Sequence, residues 1–418
     1  MLSQFTFKNF KCFKDETTLD MQAASITELE ESIIKDKNDN ERFTSVAAIY
    51  GPNGSGKSTL LEAVDYLTRM ITEPVEMFKF WGSKDSIRKT AAIPFMLDDF
   101  SKDNPTEFHI IFRHNDREFS YYISFLKRQI INERLIENKI GEKKINEIFY
   151  REENKIINAS LLKGVAKTQI ALEMPYLVFL KINYDIAIIN EVIAWFNKCK
   201  YVYYGGNWAE AWFESNTLRS VSKKEEDSII KLLNEVDINI SDMKIERDDE
   251  GSVIGIKTVR HHEGKKYYLD FHDESSGTIK MMELLPEVLS IIKNAGLLIV
   301  DELDSKLHPK LLKYIIKIFK NPTINRYGAQ LLFTSHDLTT MKNDLFRRDE
   351  IWFTTKNKND ASELYSLIEL RDEKGELIRK NARFDKQYFA GRYGADPYLQ
   401  NIIDWEVLID EQEASEKK

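Results

Sequence analysis

The stretch GPNGSGKST, residues 51–59, places Gly51, Gly56, Lys57 and Ser58 in the spacing G-x-x-x-x-G-K-S. Few short patterns restrict a fold so tightly, because each position answers a physical need. The glycines, Gly54 included, let the backbone turn sharply, so that successive N–H groups point inward at an anion. Lys57 adds a point charge for β- and γ-phosphates, and the Ser58 hydroxyl suits Mg²⁺. The flanks agree. Residues 45–50, SVAAIY, form a short apolar run suited to a buried strand, and residues 58–71, STLLEAVDYLTRMI, carry helical spacing. An incidental Gly-rich turn would carry neither flank. Strand, loop and helix together predict an α/β chain that holds a nucleoside triphosphate at a helix N-terminus.

The partners of such a loop lie far downstream. Residues 297–300 of AGLLIVDELDSKLHP are apolar and end in Asp301-Glu302. That is the pattern of a buried strand delivering two carboxylates to a site, Asp301 for the Mg²⁺ shell and Glu302 to orient or deprotonate water. Strands ending in surface acids are common, and it is the company of the phosphate loop that favours the catalytic reading. Just upstream, Ser275-Ser276-Gly277-Thr278 opens an apolar-periodic helix, where small polar residues suit either an ordinary N-cap or a second anion contact. Pro286 within that helix predicts a kink. A third apolar strand, residues 330–334, ends at Ser335-His336-Asp337, and a histidine there can donate to a γ-phosphate.

Length and charge bound the rest. With 418 residues the chain can bury one large core or two ordinary ones. No apolar run reaches the length of a membrane span and no leader pattern opens the chain, so no membrane partner is expected. Two cysteines, Cys12 and Cys199, offer no disulfide framework, which suits a reduced, cytoplasmic setting. A net charge of −8 argues against a surface that grips nucleic acid throughout, while leaving room for a local basic patch and hence for DNA as a partner. Texture divides the chain into residues 1–155, with the phosphate loop and antiparallel strands; 156–236, mainly helical; and 237–418, with the remaining site segments. Within these, His114-Asn115-Asp116 and Asp249-Glu250-Gly251 read as hairpin turns, and residues 26–42 as a charged surface loop or short helix.

Taken in order, GPNGSGKST, ESSGT, LLIVDELDSKLHP and LLFTSHD resemble the nucleotide-binding head of the ABC/SMC/RecF class of ATPases. The resemblance implies a P-loop ABC/SMC-type α/β head with an antiparallel β lobe and a helical insertion. It implies ATP and Mg²⁺ as cofactors, with phosphates held by Asn53, Gly54, Ser55, Gly56, Lys57, Ser58 and Thr59, and Mg²⁺ by Ser58 and Asp301. Glu302 becomes the catalytic base, His336 the histidine that senses the γ-phosphate, and Ser275 and Gly277 contacts made to the ATP of a second copy. KNFKCF matches the strand whose basic residue approaches the nucleotide, with Lys11 where arginine is frequent. Two departures stand out: SSGT replaces the usual signature, and residues 94–105 replace the glutamine loop.

A narrower similarity, carried by SSGT, DELDSKLHP, RRDEIWFTTKNKNDASELYSL and FAGRYGADPYL, is to stand-alone ATPases of bacterial abortive-infection and restriction-linked loci (the RloA, AbiL and PARIS AriA type, related to the ATPase half of OLD nucleases). It implies an ATPase acting as sensor in antiphage defence, a homodimer or higher homo-oligomer, and a separately encoded effector, often a TOPRIM-like nuclease. Two other functions fit the same motifs: a RecF-like DNA-repair ATPase, and a nucleotide-locked scaffold with little turnover. Two further features come from the residues alone. Arg392 sits in a GRYGADP turn read as structural. Lys306, Lys310, Lys313, Lys317 and Lys320 recur at helical intervals, as a solvated face or as an acidic docking surface or DNA track.

Overall fold

The computed structural model describes residues 1–75, 92–165, 169–202, 223–236, 238–249, 253–372 and 375–395. Its organising strand is Val46–Tyr50, in which every residue is buried. Ala47 and Ile49 face one hydrophobic core, while Val46, Ala48 and Tyr50 face another. Leu297–Val300 divides in the same way, Leu297 and Ile299 against Leu298 and Val300. A strand covered on both faces needs an unbroken apolar run rather than alternation, and both segments have one. They lie in a six-stranded sheet ordered Cys199–Val202, Leu297–Val300, Gln330–Thr334, Val46–Tyr50, Ile351–Lys356, Ser362–Ser366. The first five strands run parallel and the last antiparallel.

The second sheet is a seven-stranded antiparallel lobe. Leu2–Lys8 pairs on one side with Thr17–Asp20 and on the other with Thr106–His114, from which the chain meanders through Arg117–Leu126, Gln129–Lys139, Ile145–Glu152 and Lys155–Asn158. Burial along Thr106–His114 mostly alternates, as expected of a sheet with one wet face. The dry face packs Phe5, Phe7 and Phe108 into the same core as the helix Lys57–Thr72, each fully buried aromatic contributing about 1.5–3 kcal/mol. Asn115 takes a left-handed conformation (φ 54°) in the turn expected at residues 114–116. A third sheet comprises Asp242–Arg247, Val253–His262 and Lys265–Asp270. Glu250 and Gly251, of the turn expected between its first two strands, lie outside the described residues.

Residues 156–236 do contain the helices Tyr176–Asn183, Ala187–Phe196 and Lys223–Glu235, but the segment is woven into both main sheets. Trp195 stacks on Phe112 of the antiparallel lobe with centroids 4.1 Å apart. Cys199–Val202 pairs with Leu297–Val300 and so belongs to the parallel sheet. Much of the aromatic run after it, residues 203–222, lies outside the description, as does the acidic tail from residue 396. The early charged loop holds a 3₁₀ turn, Glu30–Ser32, and a two-residue pairing of Ile34–Lys35 with Arg42–Phe43. The helix Ser276–Asn294 runs on through Pro286.

The lysine stripe is broken up by its surroundings. Only four of the five residues fall on the helix Pro309–Lys320, because Lys306 precedes it with φ 60°. Lys320 is buried in an ion pair with the fully buried Glu350, and Lys313 pairs with Asp344 at 3.0 Å. Arg392 is exposed in the expected tight turn, where Gly391 and Gly394 take φ of 70° and 68°. Among the described residues, no helix is long and apolar enough to cross a membrane.

Candidate nucleotide site

Three neighbouring parallel strands, Leu297–Val300, Gln330–Thr334 and Val46–Tyr50, end on the same edge of the sheet. From their C-terminal ends leave, in turn, Asp301-Glu302, Ser335-His336 and the phosphate loop. That edge is where open α/β sheets hold their ligands.

The loop's shape follows from its glycines. Gly51, Gly54 and Gly56 have φ of 151°, 74° and 107°. A Cβ on Gly51 would lie 2.4 Å from the Thr354 carbonyl oxygen, and one on Gly56 would lie 2.9 Å from the Phe13 ring. Around Gly54 nothing stands within 4 Å, so the loop is braced at its two ends and open at its crown. The Ser55 and Thr354 hydroxyls hydrogen-bond at 2.6 Å and fasten the loop to the neighbouring strand. Lys57 opens the helix and donates to the carbonyls of Gly51 (2.8 Å) and Pro52 (3.0 Å). Burial lowers its pKa, opposed by Asp301, Glu302 and Asp304. No side chain caps this helix, which leaves its first N–H groups for an anion. Asn53, Gly54 and Ser58 are exposed, and Thr59 is half-buried.

Across the site, Asp301 is buried and accepts a hydrogen bond from the Thr334 hydroxyl at 2.6 Å. That hydroxyl in turn accepts the backbone N–H of Glu302 at 2.7 Å. Glu302 is exposed and left-handed (φ 49°), a strained backbone for a residue with a long side chain. The backbone N–H of His336 donates to Asp304 at 3.0 Å, which ties the third strand end to the second. Burial lowers the His336 pKa, and the Lys57 ammonium lowers it further. The expected residues Lys57, Asp301, Glu302 and His336 are thus in mutual electrostatic reach. Thr334, Asp304, Thr354 and Lys280 complete the arrangement and were not singled out from sequence. A lone threonine closing an apolar strand and a third carboxylate in DELD were the available signals.

Ser275 caps the helix Ser276–Asn294 by accepting the Thr278 N–H at 3.2 Å. Ser275 and Ser276 are exposed, and Gly277 sits against the Lys306 carbonyl, 3.0 Å from where a Cβ would be. Lys11 has φ 50° and pairs with Glu62 of the phosphate-loop helix at 2.6 Å. Its turn is held by residues 92–105: Lys11 N–H donates to Ile93, and the Asn9 side chain bonds Phe95, Ser101, Asn104 and Pro105. Residues 92–105 therefore buttress the N-terminal turn.

The donor set fits a nucleotide with Mg²⁺. The cradle is open at Gly54, the helix behind it has no side-chain cap, and the Ser58 hydroxyl and the buried Asp301 carboxylate are of the kinds that Mg²⁺ takes. Among the described residues no group of three or more His, Cys, Asp or Glu can hold a metal unaided. Mg²⁺ needs no such cage, since phosphate oxygens and water complete its shell.

A family model described as "AAA domain, putative AbiEii toxin, Type IV TA system" matches residues 46–171 and 203–342, well over half of the chain. The chain belongs to this AAA family. The match brackets the phosphate loop, Ser275, Asp301, Glu302 and His336. Among solved structures, the chain is similar to the SMC head domain from Thermotoga maritima, with 13% identity, 87% of this chain and 98% of that chain covered, and a TM-score of 0.40. It is also similar to an SmcHead bound to the C-winged helix domain of ScpA, with 14% identity, 89% and 98% covered, and a TM-score of 0.39. Neither similarity is close enough to carry a functional comparison. No curated protein matches the chain.

Proposed function

We propose that this AAA-family chain binds MgATP and hydrolyses it, and that a second copy completes the site through the helix start at Ser275 and Gly277. The observation that carries the reading is the convergence of the phosphate loop, Asp301-Glu302 and His336 on three adjacent strand ends. In it Lys57 exchanges the Gly51 and Pro52 carbonyls for phosphate oxygens, and the loop N–H groups with the helix N-terminus take the remaining negative charge. Ser58 and Asp301 hold Mg²⁺, which neutralises phosphate charge. Glu302, held in place through Thr334, accepts the proton of the attacking water, and His336 donates to the γ-phosphate. The family's description, "AAA domain, putative AbiEii toxin, Type IV TA system", supports a role in defence, and antiphage defence is the setting proposed. There ATP-dependent self-association controls a separately encoded effector, with a nuclease the first candidate.

Nucleotide binding and steady-state hydrolysis by purified wild type, Glu302→Gln and Lys57→Ala test this. Glu302→Gln is expected to bind MgATP like wild type and to lose at least about 100-fold in turnover. Lys57→Ala is expected to lose binding itself. Hydrolysis by Glu302→Gln at the wild-type rate would remove Glu302 from the chemistry and the reading with it.

A further inference from the structure

Lys280 lies on the first turn but one of the helix Ser276–Asn294 and is only 3% exposed. A buried lysine with no task is costly, and this one has two bonds that point to a task. Its ammonium donates at 2.8 Å to the carbonyl of Glu302 and at 2.8 Å to the carbonyl of Ser305. These two residues bracket the turn that carries Glu302, the residue whose left-handed backbone has to be held against its own preference. The same helix touches the end of that turn a second time, where Gly277 packs on the Lys306 carbonyl. Burial works against the ammonium's charge, and so does Lys306, while Asp304, Glu302 and Glu283 favour it. The helix start and residues 302–306 are therefore joined at three carbonyls.

We propose that Lys280 is a positioning residue that makes the Glu302 turn move with the helix start at Ser275 and Gly277. This rests on the reading above, in which that helix start meets the nucleotide of a second copy. Engagement of one copy's helix by its neighbour's ATP then sets the Glu302 of the same copy, so that the two sites of a pair inform one another. Neither Ser275 nor Gly277 bonds Glu302 directly, and the Lys280 ammonium is the polar link between them. Both of these bonds go to backbone carbonyls, so they depend on the charge and reach of the side chain at 280.

The test compares wild type, Lys280→Met and Lys280→Arg by hydrogen exchange and by kinetics, using MgATP for turnover and a slowly hydrolysed ATP analogue for exchange. Methionine fills the same space without the bonds, and arginine keeps the charge and donors. In wild type the analogue should protect the peptides spanning residues 275–280 and 301–306 together. In Lys280→Met the first should gain protection and the second should not, with kcat down by about 10- to 100-fold and nucleotide affinity unchanged within about twofold, the cost of a misplaced base. Lys280→Arg should restore a substantial part of kcat. Protection of residues 301–306 in Lys280→Met equal to wild type, or an arginine variant no better than methionine, overturns the proposal. Should wild type turn over ATP no faster than Glu302→Gln, the functional reading fails, while the exchange comparison still decides whether Lys280 links the two segments.

Discussion

At the scale of single residues, the phosphate loop separates two kinds of glycine. Gly51 and Gly54 both have positive φ, yet only Gly51 is pressed against backbone, with a Cβ position 2.4 Å from the Thr354 carbonyl oxygen. Gly51→Ala is expected to cost roughly 3–4 kcal/mol, because backbone must shift, and Gly54→Ala about 1 kcal/mol of left-handed strain. Urea unfolding of the two variants checks the contrast, and equal midpoints would refute the close approach. Lys280 gives a prediction in pH. Burial pushes its pKa down to about 8, with Asp304 and Glu302 opposing and Lys306 and Glu283 among the charged groups around it. Its folded pKa is below the unfolded one, so the unfolded chain binds more protons between about pH 8 and 10.5, and this group makes the fold more stable as pH rises there. Turnover should move the other way, falling roughly fivefold from pH 7.5 to 9.5 as charged bonds to Glu302 and Ser305 become neutral ones. The arginine variant should show no such fall, and thermal melting of wild type across the same range separates lost positioning from lost fold.

Elements were legible where their pattern is local and obscure where a distant partner makes them. Val46–Tyr50 and Leu297–Val300 declared themselves as apolar runs, since both faces are covered. Cys199–Val202 did not. It has four residues, no periodicity, and its status as a strand comes from pairing with Leu297–Val300 nearly a hundred positions away. Lys320 misled for the same reason: its spacing fits an exposed face, and only Glu350, on another element, explains its burial. The site followed the same rule. Residues 51–59, Asp301, Glu302 and His336 sit in motifs, whereas Thr334, Asp304 and Lys280 matter through contacts made across elements. A buried carboxylate of the antiparallel lobe shows how strong such links are. Glu133 accepts the Tyr176 N–H (2.5 Å), the Leu177 N–H (2.9 Å) and the Tyr121 hydroxyl (2.9 Å), with the Arg151 guanidinium 3.5 Å away. It thus caps the N-terminus of Tyr176–Asn183 against the sheet. Glu133→Ala would leave the buried Arg151 charge with backbone carbonyls alone and take the acceptor from two helix N–H groups and the Tyr121 hydroxyl, and the expected loss is about 3–5 kcal/mol. Far-UV circular dichroism with urea titration checks this; a loss under about 1 kcal/mol would mean that the helix is held by apolar packing such as that of Tyr176 on Phe149, whose ring centroids lie 5.0 Å apart.

At the scale of the whole molecule, a net charge of −8 sets the terms of self-association. Two such chains repel, so the pairing proposed above would need the nucleotide's contacts and should strengthen as salt screens the repulsion. Nucleic-acid binding would behave oppositely, weakening steeply as salt rises. Light scattering on Glu302→Gln, which is expected to retain ATP, is therefore informative in two dimensions. With MgATP its mass should double, with ADP it should not, and the dimer should persist or tighten from roughly 50 to 200 mM salt. Adding Gly277→Asp should abolish the doubling, since a carboxylate at the exposed helix start would face the partner's phosphates as well as crowd the Lys306 carbonyl. A large mass independent of nucleotide would point instead to a standing assembly, in which ATP gates release of a held partner. Doubling that survives Gly277→Asp would place the contact between copies elsewhere on the molecule, and the helix start would then be an ordinary N-cap.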